Sequence, residues 1–215
     1  MFEKLTYKEQ AYNYLLNLII NNELESGKAY SERYFAEKMG ISRTPVREAI
    51  LHLAQEGYIQ IHPNRGISVR ELTESEIHAI FQVRTALEGY CAAFAAEKAH
   101  TSEGKDLIAC LESYLEQEKK INRSKADPKE FMKNDVEFHF EMVKFCGNEI
   151  MNASMINLRN RINCIGIKSF YNAGRIDRTI DEHIKIVHAI KVGDSAKAYN
   201  AITRHFESCE EAIKQ

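Results

Sequence analysis

Asp135 and His139 stand four residues apart, so on a helix they share one face a single turn from each other. His183 lies ten residues before Gly193, and His205 lies eleven residues after Asp194. At about 1.5 Å of rise per residue both are roughly 15–17 Å from that turn, so an antiparallel helix pair sets them level. Two levelled imidazoles facing an Asp/His pair make a coordination set suited to a borderline divalent metal. Taken singly, each histidine also fits an ordinary satisfied core or surface residue, and spacing leaves both readings open. His188 is five residues beyond His183, on another face, and reads as structural or superficial.

A second set of residues suits a different chemistry. In Ser31–Arg70 the apolar Phe35, Ala36 and Met39 recur at helical period, and Gly40 can close that helix in the left-handed conformation. Ser42 or Thr44 can cap the next helix, with Pro45 in its first turn. Val46, Ile50 and Leu53 form its buried stripe, and Arg43 and Arg47 sit one turn apart on its flank. Two guanidiniums near a helix start suit base edges in a major groove, and phosphates equally. After Gly57 the pattern changes to alternation, with Ile59 and Ile61, a turn at Pro63-Asn64-Arg65-Gly66, then Ile67 and Val69. A period of two around a Gly-containing turn predicts a hairpin. Helix-turn-helix plus hairpin is a winged helix, and Arg65 at the wing tip can reach a minor groove or a phosphate.

The elements that must position these residues divide into two groups. Thr6–Asn22 is an amphipathic helix, with Ala11, Leu15, Leu18 and Ile19 on one face. It would pack beneath the helix-turn-helix pair. A boundary falls near Glu71-Leu72-Thr73, where Thr73 and Glu76 have capping-box spacing. From there six helices are expected: about 73–99, 102–123, 127–146 (Glu130 completing a cap with Asp127), 148–170, 177–192, and one ending near the C-terminus. The fold class is therefore mainly α. A winged helix-turn-helix of three helices and a small β-hairpin over residues 1–72 is followed by an all-α bundle of about six helices over 73–215.

Composition narrows the functions. The 215 residues carry a net charge of −2, and the first seventy-two hold nine Lys/Arg against nine Asp/Glu. Nucleic-acid binding would therefore rest on placed cations (Arg33, Lys38, Arg43, Arg47, Arg65, Arg70) and not on bulk charge. Cys91, Cys110, Cys146, Cys164 and Cys209 follow no CxxC spacing, which predicts reduced thiols in a cytoplasmic protein. No run approaches the roughly 18 apolar residues of a membrane span, and the first ten residues are too acidic and polar for a secretory signal.

The stretch SERYFAEKMGISRTPVREAI with the later PNRG closely resembles the DNA-binding domain of GntR-family bacterial transcription regulators. The resemblance implies a homodimer on a palindromic double-stranded operator, with DNA contacts on Arg33, Arg43, Thr44, Arg47 and Gly66. One departure is that the family's usual Leu-x-Pro-Gly becomes Leu24-Glu25-Ser26-Gly27, which loosens a turn away from the recognition surface. Further on, Asp135-Val136-Glu137-Phe138-His139, Glu182-His183, Ala189-Ile190, Gly193-Asp194 and His205 resemble the FCD-type effector domain of the same family.

That second resemblance implies Asp135, His139, His183 and His205 as ligands of Zn²⁺, Ni²⁺ or Mn²⁺, and a small carboxylate as effector on a remaining coordination position. Arg84, one turn before Glu88 inside an apolar stripe, and Arg161, midway along the fourth bundle helix, are candidate partners for that carboxylate; for Arg84 a structural pair with Glu88 is the competing reading. The expected function is a ligand-responsive regulator, a repressor by preference, and not an enzyme. A metal-dependent enzyme would need a general base, for which no spare carboxylate or histidine is clearly placed. A metal-free acyl-CoA-type sensor would not need three levelled histidines.

Overall fold

The structure, a computed structural model, describes residues 5–25, 27–63, 65–124 and 127–214. Ser26 of the loosened turn, Asn64 of the wing turn and the side chain of Cys164 lie outside the described residues. The chain divides into two compact units, one ending at Leu72 and the other beginning at Thr73.

In the first unit α1 (Tyr7–Ile20), α2 (Glu32–Met39) and α3 (Arg43–Gln55) enclose one core. Ala11, Leu15 and Ile19 of α1, Phe35 and Ala36 of α2 and Val46, Ala49, Ile50 and Leu53 of α3 are all buried, with α3 packed against both α1 and α2. Gly40 ends α2 with φ 65°. Ser42 occupies the N-cap of α3, but neither it nor Thr44 makes the expected side-chain cap. Pro45 at the third helical position removes one of the two N–H groups such a cap can take, leaving only that of Thr44.

The strands β1 (Ile59–His62) and β2 (Gly66–Val69) pair antiparallel, with Ile59 opposite Val69 and Ile61 opposite Ile67. Tyr30 adds a bridge on the far side of β2, exchanging two 2.8 Å backbone hydrogen bonds with Ile67. Ile67 thus lies between two strands and is buried, whereas Ile61 sits on the edge strand and is exposed.

The second unit is all helical: α4 (Glu74–Glu97), α5 (Ser102–Ser124), α6 (Pro128–Phe145), α7 (Glu149–Ser169), α8 (Arg175–Lys191) and α9 (Ser195–Ile213). Thr73 and Glu76 close a capping box on α4. At α6, Asp127 accepts from the Lys129 N–H, while the Glu130 N–H goes to the Asp127 backbone carbonyl at 2.8 Å. The expected completion of a cap by Glu130 is therefore replaced by a backbone turn. The helix α8 begins at Arg175, two residues ahead of the predicted start, with Gly174 as its N-cap. The helices α8 and α9 pack together across the Gly193-Asp194 turn, α4 lies along α9, and α5 contacts both α6 and α8. Every helix that will supply a charged group to the site is thereby brought to the interior of this unit.

Candidate functional site

Asp135 and His139 occupy the inward face of α6, His183 that of α8 and His205 that of α9, and all four are buried. One ligand atom from each lies within 4.8 Å of the other three. His139 Nε2 stands 3.1 Å from His205 Nε2, and His183 Nε2 stands 3.5 Å from Asp135 Oδ1. Ligand atoms held about 2.0–2.2 Å from one small divalent ion stand roughly 3–3.6 Å apart, and both separations fall in that range.

The far nitrogen of each imidazole meets a carboxylate. Glu88 Oε2, on α4, is 2.7 Å from His139 Nδ1. The Glu118 carboxylate, on α5, lies 2.9 and 3.0 Å from His183 Nδ1. Glu182 Oε2, on α8, is 2.8 Å from His205 Nδ1. At His183 and His205 the hydrogen-bonded carboxylate holds the proton on Nδ1 and turns the Nε2 lone pair outward. His183 Nε2 has no hydrogen-bond partner, and His139 Nδ1, although 2.7 Å from Glu88, makes no hydrogen bond of acceptable geometry either, so which of His139 and His205 donates across their 3.1 Å Nε2 contact depends on the tautomer of His139. Buried acceptors aimed at one point call for a cation between them, and the donor set of three imidazoles and one carboxylate fits a divalent metal.

Electrostatics around the cluster are strongly graded. Burial opposes charge on His183, but Glu118, Asp135 and Glu182 outweigh it and raise its pKa above the ordinary value. Burial drives the pKa of His205 well below the ordinary value, helped by the charges of His183, His139, Arg175 and Arg84. Burial also works against the Glu88 carboxylate, yet Arg84 and His139 pull it down to about 2. Arg84 is buried, donates from Nε to Glu88 Oε1 at 2.7 Å, and lies 4.1 Å over the Phe206 ring. Its pairing with Glu88 is thus present, and its charge also acts on His205. Arg161 is half-buried on α7 and engaged in contacts of its own. His188 is exposed.

Sequence reasoning missed four neighbours of the cluster. Glu118 lies in the polar, mostly charged run 116–120, which reads as a solvated helix face; yet it is fully buried. Glu88 entered only as a partner for Arg84, and Glu182 only as the residue before His183. Arg175 is 3 % exposed; it donates to Ser208 Oγ at 2.9 Å and Cys209 Sγ at 2.9 Å, and its guanidinium spans Glu182 at 3.3 and 3.4 Å. Its signal was available, because a cation in the first turn of a helix opposes the helix dipole and needs a compensating reason.

In the first unit Arg33, Arg43, Thr44, Arg47 and Arg65 are all exposed. Glu32 reaches both recognition-helix arginines, 3.4 Å from Arg43 and 3.8 Å from Arg47, and Arg33 pairs with Glu37 at 2.7 Å. Gly66 has φ 100°, and a Cβ there would lie 2.2 Å from the Tyr30 carbonyl oxygen, so only glycine admits the bridge that anchors the wing.

Comparison with known proteins bears on both units. Residues 7–69 match the family described as bacterial regulatory proteins, gntR family, and residues 79–208 match the FCD domain. The chain is 25% identical over 205 residues to the HTH-type transcriptional regulator YdhC of Bacillus subtilis, covering 95% of this chain and 90% of that one. It is 26% identical over 208 residues to the HTH-type transcriptional repressor RspR of Escherichia coli, covering 96% and 89%. With the gluconate operon transcriptional repressor of B. subtilis the identity is 28% over 203 residues, covering 91% and 80%. Among solved structures the fold is similar to E. coli McbR/YncC (TM-score 0.76, 21% identity, 99% of each chain). It is also similar to a GntR-type regulator from Rhodococcus sp. RHA1 (TM-score 0.79, 19% identity, 96% of this chain and 97% of that one). With a winged helix at one end and an FCD domain over most of the remainder, this chain belongs to the GntR family of DNA-binding transcription regulators and is not an enzyme.

Proposed function

We propose that the chain is a homodimeric repressor whose FCD unit, residues 73–215, holds a divalent metal on Asp135, His139, His183 and His205 and senses a small organic acid there, while the winged helix of residues 1–72 reads a palindromic operator. The observation that carries this reading is the convergence of ligand atoms from Asp135, His139, His183 and His205 within 4.8 Å of one another, all four residues buried, with carboxylates hydrogen-bonded to the Nδ1 of His183 and of His205. A metal bound there supplies a Lewis-acid anchor for a carboxylate group. The residues do the rest. Glu118 and Glu182 fix the tautomers of His183 and His205, Glu88 lies against His139, and Arg84 and Arg161 are the candidate partners for a second carboxylate or hydroxyl of the effector. Repression is favoured because two of the relatives are named repressors.

On the DNA side, Arg43, Thr44 and Arg47 present an exposed row at the start of α3, Arg33 is exposed on α2, and Arg65 and Gly66 belong to the wing turn. Those residues serve as base and phosphate contacts, one recognition helix per half-site. Effector binding changes operator affinity only as far as it favours one bundle geometry over another. The test is a thermal-shift screen of small organic acids on the purified protein, with and without chelator, repeated on His183→Ala. Stabilisation that needs metal and vanishes in His183→Ala, while operator binding by the unliganded variant persists, is the expected result. Equal stabilisation in chelator, or full metal occupancy of the variant, refutes the metal-dependent sensor.

A further inference from the structure

Away from the His/Asp cluster, two thiols meet between helices. Cys91 lies on α4 and Cys146 caps the end of α6, and neither is in a disulfide. The two helices pack together there, with the rings of Phe94 on α4 and Phe145 on α6 in contact at 6.0 Å between centroids. The Cys91 thiol donates a hydrogen bond to the Cys146 sulfur. The pair is unequal. Cys91 is fully buried, whereas Cys146 is only half-buried and in part open to solvent. The hydrogen bond from Cys91 favours a thiolate at Cys146, outweighs the burial that opposes it, and lowers its pKa. The same contact, with burial and the charge of Glu88, pushes Cys91 up, so Cys91 keeps its proton. A partly exposed sulfur inclined to ionise, beside a second thiol, is the arrangement of a nucleophilic and a resolving cysteine.

We propose that Cys146 and Cys91 form an oxidation site that a small hydroperoxide converts into a disulfide between α6 and α4. The Cys146 thiolate attacks one peroxide oxygen. The O–O bond breaks, an S–O bond forms, and the oxygen anion released takes up the proton that Cys146 lost. The Cys91 sulfur then attacks the Cys146 sulfur, the S–O bond breaks, and the departing hydroxide leaves as water with the Cys91 proton. The two thiols lose two electrons, and the peroxide gains them. No metal takes part. The bridge ties the same two helices that Glu88 and His139 bring into contact, since Cys91 is three residues beyond Glu88 and Cys146 seven beyond His139.

Reduced full-length protein, freed of metal with chelator and titrated with hydrogen peroxide, tests this directly. The expected result is that each chain loses the mass of two hydrogens and two of its five thiols. Digestion should release a peptide joining Cys91 to Cys146, and dithiothreitol should restore both thiols. In Cys91→Ala the sulfenic acid at Cys146 has no resolving partner, so a dimedone adduct should accumulate there. Cys146→Ser, at a partly exposed position, should form no bridge, and Cys110→Ser should bridge like the wild type. A wild type that keeps all its thiols, or a bridge that joins other cysteines or two chains, overturns the proposal. So does a Cys146→Ser variant that loses thiols to peroxide as fast as the wild type. Absence of the adduct in Cys91→Ala overturns the roles given to the two cysteines.

Discussion

Glu118 shows how much of the chemistry rests on single side chains behind the presumed ligands. Its carboxylate is fully buried and bonds to the Nδ1 of His183. Glu118→Gln keeps the shape but removes the charge that raises the basicity of the ring, so metal affinity should fall about 10–100-fold with the fold intact. A competition titration against a chromophoric chelator measures it, and unchanged affinity would deny the carboxylate its orienting role. Arg84 sits at the same depth, paired with Glu88. Arg84→Met leaves the Glu88 carboxylate buried without its cation, and should cost about 3–5 kcal/mol of unfolding free energy in urea. A loss within a few tenths of a kcal/mol would mean that solvent reaches Glu88. Asp135, His139, His183 and His205 stood out in the sequence because their types are chemically conspicuous and their spacing is helical. Glu118 did not, since an acidic residue among Glu116, Lys119 and Lys120 reads as solvated until the neighbouring helix is in place.

At the scale of elements, the bundle was legible wherever local chemistry closes a helix. Thr73 with Glu76 marked the start of α4, and Gly40 the end of α2. The start of α8 was misplaced because its N-cap is Gly174, which offers no side chain to recognise, and because Arg175 belongs there for the sake of Glu182 and Cys209 and not for the helix. The turn between α4 and α5 is tighter than its polar sequence suggests. A Cβ on Gly104 would stand 1.9 Å from the Lys98 carbonyl oxygen, a backbone atom that cannot swing aside. Gly104→Ala should therefore destabilise the protein by about 1–3 kcal/mol, the usual penalty of overpacking. A thermal melt at wild-type temperature would show instead that the two helices slide apart freely.

For the whole molecule the near balance of charge is the governing fact: at −2 overall, attraction to DNA must come from a few placed arginines. Arg43→Ala or Arg47→Ala should each weaken specific operator binding by about 1–3 kcal/mol in a fluorescence-anisotropy titration. Both variants binding like the wild type would move the reading surface elsewhere. Glu32 lies against both of those arginines, each more than two-thirds exposed. Exposed pairs of this kind hold the cations with only about 0–1 kcal/mol. Under the proposed assignment, a DNA phosphate or base has to displace the Glu32 carboxylate from both guanidiniums, and an ion pair this weak leaves them open to that exchange.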